Sequence, residues 1–123
     1  MKFELDAIMK SRSLDAIVVF GNAEHNPPMY YLTGGGHVSH ATVIKKRGEE
    51  AAYFHNDMER DEAAKSGLKL IPYSKYDYEA LLKKANGDLL LADALRNQLM
   101  FEEVGVTKGR VGVYGNYDLS AIF

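Results

Sequence analysis

Apolar and polar positions change period several times along this chain, and each change predicts a new element. Leu5, Ile8 and Met9 fall at helical spacing, so the chain opens on a short amphipathic helix. Ser13-Leu14-Asp15 leads into Ala16-Ile17-Val18-Val19-Phe20, an unbroken apolar run rich in β-branched residues, which predicts a strand buried on both faces. Gly21 ends it. Asn22 to Pro28 is polar and closes on Pro27-Pro28, a pair that excludes regular helix or central strand. Met29 to Thr33 is expected to form one helical turn before Gly34-Gly35-Gly36 interrupts the chain again.

His37 to Lys46 predicts a strand, and Lys46-Arg47-Gly48-Glu49 a tight turn into a second strand, Ala51 to His55. Asn56 or Asp57 is expected to cap a helix running to about Ser66, with Gly67 as its stop. Leu68 to Tyr73 predicts another strand, cut short at Pro72 and Ser74. Tyr78, Leu81, Leu82 and Ala85 repeat at i, i+3, i+4, i+7, an amphipathic helix closed by Asn86-Gly87. A longer helix should begin at Leu89 or Leu91 and end at Gly105. Arg110 to Tyr114 predicts the last strand, and Asn116 or Asp118 the cap of one more helix over Tyr117 to Phe123. Strands interleaved with helices, plus one hairpin, imply an α/β fold: a mixed β-sheet with helices on both faces.

Composition narrows what such a domain can do. A chain of 123 residues is the size of one domain. Its net charge of −2 is spread along the chain, without the basic cluster that nucleic-acid binding requires, so no nucleic-acid partner is expected. There are 0 cysteines, which removes disulfides, thiolate metal sites and cysteine nucleophiles, and fits a cytoplasmic location. Acidic residues stand where a secretory signal needs an apolar core, and no run approaches the ~20 apolar residues of a membrane span. A soluble protein without a membrane partner is expected.

The candidate chemistry is thin. His37 and His40, three apart on a predicted strand, should face opposite ways, and neither His25 nor His55 completes a metal-ligand spacing. Glu59, Asp61 and Glu62 mix with Arg60 and Lys65 as on a solvated helix face. The first strand offers no carboxylate to hold a metal as a nuclease would need. Neither phosphate-loop spacing accompanies the glycines, and Ser39 and Ser66 lack an activating motif. The unusual segment is Asn22 to His37, with two prolines, adjacent tyrosines, a triple glycine and two histidines. It is longer than the usual connection of about 4–6 residues. As a surface connection it would pack its tyrosines on the core edge; as a binding loop it would present them.

In order along the chain, the opening helix, Leu14 to Val19, Tyr31-Leu32-Thr33-Gly34, the hairpin, the acidic helix near Asp57 and Gly109-Arg110-Val111-Gly112-Val113-Tyr114 carry a resemblance. The chain resembles the N-terminal domain of the creatinase, prolidase and aminopeptidase P family, the pita-bread Xaa-Pro metallopeptidases. It differs from the family's usual Asn-Ile-Arg before Tyr-Leu-Thr-Gly, reading Pro28-Met29-Tyr30, and leaves open which branch it belongs to. The resemblance implies a ribonuclease H-like fold without nuclease chemistry. It also implies a separate C-terminal metallopeptidase domain, outside residues 1–123, that holds two divalent metal ions (Mn, Co or Zn). No metal-binding or catalytic position carries over to this chain. On this reading the domain is non-catalytic and contributes to dimerisation and active-site access, with its own catalytic domain and a second copy as partners. His25, Tyr30, Tyr31 and His37 are then a loop facing the entrance or the partner. Within the signature, Tyr31 is expected to pack under the Leu32 turn. The alternatives are a freestanding α/β module binding a small ligand or a protein, and a compact hydrolase that turns over substrate by itself.

Overall fold

The computed structural model describes residues 2–21, 26–34 and 40–115, with Lys2 and Phe3 as backbone only. Helix α1 (Lys2–Ser11) leads into β1 (Ala16–Phe20), whose first four residues are buried, as an apolar run with two covered faces requires. Helix α2 (Pro27–Thr33) is longer than the single predicted turn. Pro27 and Pro28 do not exclude the helix; they open it. At the first two positions the missing N–H would have no carbonyl partner anyway, and the proline φ is already helical.

Strand β2 is Thr42–Lys46 rather than a run from His37, because His40 sits just before it in the left-handed region at φ 47°. Such a residue cannot continue a pleat. The predicted hairpin is present, β2 pairing antiparallel with β3 (Ala52–His55). The helix expected from Asn56 or Asp57 to Ser66 is instead a 3-10 turn at Asp57–Glu59 followed by a short α3 (Arg60–Ala64). Neither start carries a side-chain cap, and the Asp57 carboxylate accepts the Ser74 hydroxyl at 2.9 Å instead. Strand β4 (Lys69–Pro72), helix α4 (Tyr78–Lys84), helix α5 (Leu89–Val104) and strand β5 (Val111–Gly115) complete the described chain. The Asp77 and Asp88 carboxylates accept the Ala80 and Leu91 amides at 3.1 and 3.2 Å. Caps of this kind each contribute about 1 kcal/mol. The helix expected over Tyr117 to Phe123 lies outside the described residues.

The five strands form one mixed sheet in the order β4-β3-β2-β1-β5. β1 is parallel to β5 and β3 to β4, while β2 runs antiparallel to both of its neighbours. Four strands therefore share one direction. Alternation along them divides the core in two. Val19, Val43 and Tyr53 face α2 and α3 through Met29, Leu32 and Ala63. Val18, Ile44, Phe54 and Ile71 face α5 through Met100, Phe101 and Val104. Helix α1 joins the first layer, where the Lys45 ammonium, 2% exposed, donates to Asp6 at 2.8 Å. Helices thus cover both faces of a mixed α/β sheet. Among the described residues no helix is long and apolar enough to cross a membrane.

Candidate functional site at the carboxyl rim of the sheet

With β1, β3, β4 and β5 parallel, their carboxyl ends and the start of β2 share one rim. Ligands of open α/β sheets gather at such a rim, above all where successive connections leave in opposite directions. Here that point lies between β1 and β5, since the chain runs from β1 towards β2 but reaches β5 on the other side. The two strand ends are pressed together: a Cβ on Gly115, at φ 100°, would stand 2.3 Å from the Phe20 carbonyl oxygen. The same oxygen accepts the Asn26 side-chain amide at 2.8 Å. Asn26 is buried, so it ties the start of α2 to the end of β1. Its own Oδ1 has no hydrogen-bond partner among the described residues.

The return from α2 to β2 reaches the rim at His40. The Gly21 amide donates to the Ala41 carbonyl at 2.9 Å, and the Tyr73 hydroxyl to the His40 carbonyl at 2.8 Å. His55, 1% exposed at the end of β3, donates from Nδ1 to the Asn56 carbonyl at 2.8 Å. It is a structural histidine. Tyr53, beside it on β3, is deeply enclosed, and burial, reinforced by Glu59, pushes its phenol up to about 12. Among the described residues no three His, Asp or Glu side chains form a group able to hold a metal ion. Among the described residues nothing on this rim supplies a nucleophile with a base.

The expected loop residues separate. Tyr30 projects from α2 with 62% of its surface exposed. Tyr31 is also half exposed, and does not pack under the Leu32 turn; Met29, fully buried, takes that role. Tyr31 lines a cavity of about 300 Å³ with Lys45, Ala51 and Leu68, near the end of the sheet opposite the rim. Helix α2 runs down the sheet, so its C-terminal half leaves the rim behind. His25 and His37 lie outside the described residues. Asn26 and Tyr73 were not singled out from the sequence. Asn26 could have been, as a polar residue directly before a helix-opening proline pair; nothing local marks the Tyr73 hydroxyl.

Residues 4–119 match the family model of the Creatinase/Prolidase N-terminal domain. The chain belongs to that family. Its mixed sheet with helices on both faces is the fold of such a domain, and prolidase and aminopeptidase P-like proteins carry it. A solved dipeptidase from Pyrococcus horikoshii OT3 superposes with a TM-score of 0.59 at 15% identity, over 97% of this chain and 29% of that one. A prolidase from the same organism gives 0.47 at 24% identity over 65% of this chain and 22% of that one. An Xaa-Pro aminopeptidase from Streptococcus thermophilus gives 0.49 at 20% identity, over 98% of this chain and 92% of that one. The chain thus spans under a third of the Pyrococcus dipeptidase. No curated protein matches the sequence.

The family's Gly-Arg-Val-Gly strand has a physical reason here. A Cβ on Gly109, at φ 116°, would fall 2.3 Å from the Asp15 carboxylate, which accepts the Arg110 amide at 2.8 Å. A Cβ on Gly112 would fall 2.9 Å from the Tyr114 ring. These glycines let β5 lie against the start of β1.

Proposed function

We propose that this chain is the non-catalytic N-terminal domain of an Xaa-Pro metallopeptidase, and that its carboxyl rim borders the active-site entrance. The observation that carries the reading is the family match over residues 4–119, in a fold whose described residues hold no group able to bind a metal ion. The metal chemistry belongs to a catalytic domain with two divalent ions; no step runs through residues of this chain. Attachment has a surface available. β5 is one of the two outer strands of the sheet, and Val113 and Tyr114, on opposite faces of it, are each more than a third exposed. Pairing of two copies, which would bring the rim of one to the entrance of the other, and a cytoplasmic setting complete the proposal.

The domain's part is positional: His25, Tyr30 and His37 contact the incoming peptide and Tyr31 supports the surface of α2. In the complete polypeptide, Tyr30→Ala or His37→Ala is expected to weaken kcat/KM for an Xaa-Pro dipeptide by roughly 1–3 kcal/mol of transition-state stabilisation. Thermal melts should move little, since Tyr30 is exposed. Met29→Ala is the control: it empties a core position and should cost about 3 kcal/mol of stability. Unchanged kinetics for both loop variants would make this loop a surface connection rather than part of the entrance.

A further inference from the structure

Tyr73 follows β4 in a 3-10 turn and enters the core layer under α5, yet its hydroxyl reaches across to the rim. A phenol has one proton to give. It goes to the His40 carbonyl at 2.8 Å, so the Thr42 hydroxyl, 2.7 Å away, donates to the phenol oxygen. The ring is held independently. The Arg96 guanidinium of α5 lies 4.6 Å from its centroid and 5.2 Å from that of Tyr78. Tyr78 in turn donates to Asp93 at 2.8 Å. Burial pushes the Tyr73 phenol up, keeping the proton that the bond to His40 needs. His40, at φ 47°, is in a conformation that a side-chain-bearing residue keeps only when its surroundings hold it.

We propose that Tyr73 is a positioning residue for the entrance rim, acting through the backbone carbonyl of His40 and the side-chain hydroxyl of Thr42. The inference rests on the proposed function. It adds that the helix pair α4–α5, on the far layer, fixes the backbone of the rim at His40. Tyr73 does not touch the substrate. Its hydroxyl fixes where the connection ends, and Arg96 fixes the hydroxyl.

The test is Tyr73→Phe in the complete polypeptide, which removes one oxygen and keeps the stacked ring. The kcat/KM for an Xaa-Pro dipeptide should fall about tenfold. Amide exchange at residues 40–42 should quicken, while that of β1 residues 16–20 is unchanged. Thr42→Val, which removes only the second hydroxyl, should act in the same direction by about two- to threefold. In a His37→Ala background, Tyr73→Phe should add less than about twofold, because both act through one connection. A lowered melting temperature with unaltered kinetics makes Tyr73 merely structural and overturns the proposal. So does a kinetic loss without faster exchange at 40–42. If His37→Ala and Tyr30→Ala lower kcat/KM while Tyr73→Phe does not, the rim reading stands and this inference alone fails. If none of the three alters kinetics, both fall.

Discussion

Gly115→Ala is expected to be the most damaging single methyl group that can be added to this domain. Two costs coincide at that position. The φ of 100° lies beyond the left-handed well that alanine tolerates, and the new Cβ would stand 2.3 Å from the Phe20 carbonyl oxygen and 3.1 Å from its nitrogen. Backbone cannot rotate aside as a side chain can. Strain and overpacking together should cost about 4 kcal/mol. Gly109→Ala is expected to cost less, about 2–3 kcal/mol, since the Asp15 carboxylate can swing away at the loss of its bond to the Arg110 amide. Gly48→Ala is the internal standard: its φ is 83° with nothing within 4 Å. Only the cost of a left-handed backbone applies there, about 1–2 kcal/mol. Chemical denaturation of the three variants should rank them Gly115, Gly109, Gly48. A Gly115 variant as stable as the Gly48 variant would mean that β5 does not approach β1 as described.

The ion pair between α1 and the hairpin should respond unequally to loss of its two members. Lys45 is 2% exposed and Asp6 28%, and Asp6 also accepts the Gly48 amide at 3.0 Å. Asp6→Ala leaves the buried ammonium with only the Lys46 carbonyl at 3.1 Å and no counter-charge, and should cost about 3 kcal/mol. Lys45→Met keeps the stem in its apolar surroundings and leaves Asp6 with Gly48 and water, so it should cost less than about 1 kcal/mol. The pair also sets an acid limb. The Gly48 amide first, and Lys45 second, hold the Asp6 carboxyl below its ordinary value of 3.8. A carboxyl lowered in the folded state stabilises fully above its unfolded value, and that contribution is lost as pH falls through the folded one. Wild-type stability should therefore decline below about pH 4 more steeply than that of Asp6→Ala. Equal losses for Asp6→Ala and Lys45→Met, or parallel acid limbs, would contradict the buried pair.

Much of this architecture is legible in the sequence where one local cause dominates. Ala16 to Phe20 announces β1 because a continuous β-branched run has no other economical home, and the strand has those bounds. The Lys46 to Glu49 turn and the start of α5 at Leu89, capped by Asp88, are likewise local. What escapes has competing or distant causes. Pro27-Pro28 breaks a helix anywhere except at its start, so its meaning depends on where the start is. The strand begins at Thr42 rather than His37 because Tyr73, 33 residues away from His40 in sequence, holds that residue's carbonyl. Tyr31 carries the signature position, yet the buried place on α2 falls to Met29, because only the sheet's position decides which side of a short helix is inside. The family was legible from the order of several short motifs. The candidate rim was not legible, since its anchors, Asn26 and Tyr73, become visible only when the strand ends are brought together.

The most direct measurement of the central claim is a crystal structure of the complete polypeptide with an Xaa-Pro product bound. The account predicts that the carboxyl ends of β1 and β5, with the segment from Asn22 to His37, stand at the mouth of the metal-bearing cavity, in the same subunit or its partner. It predicts at least one contact from His25, Tyr30 or His37 to the bound peptide. A structure in which this rim faces solvent on the side away from the cavity, with no residue of this chain near the peptide, would contradict it.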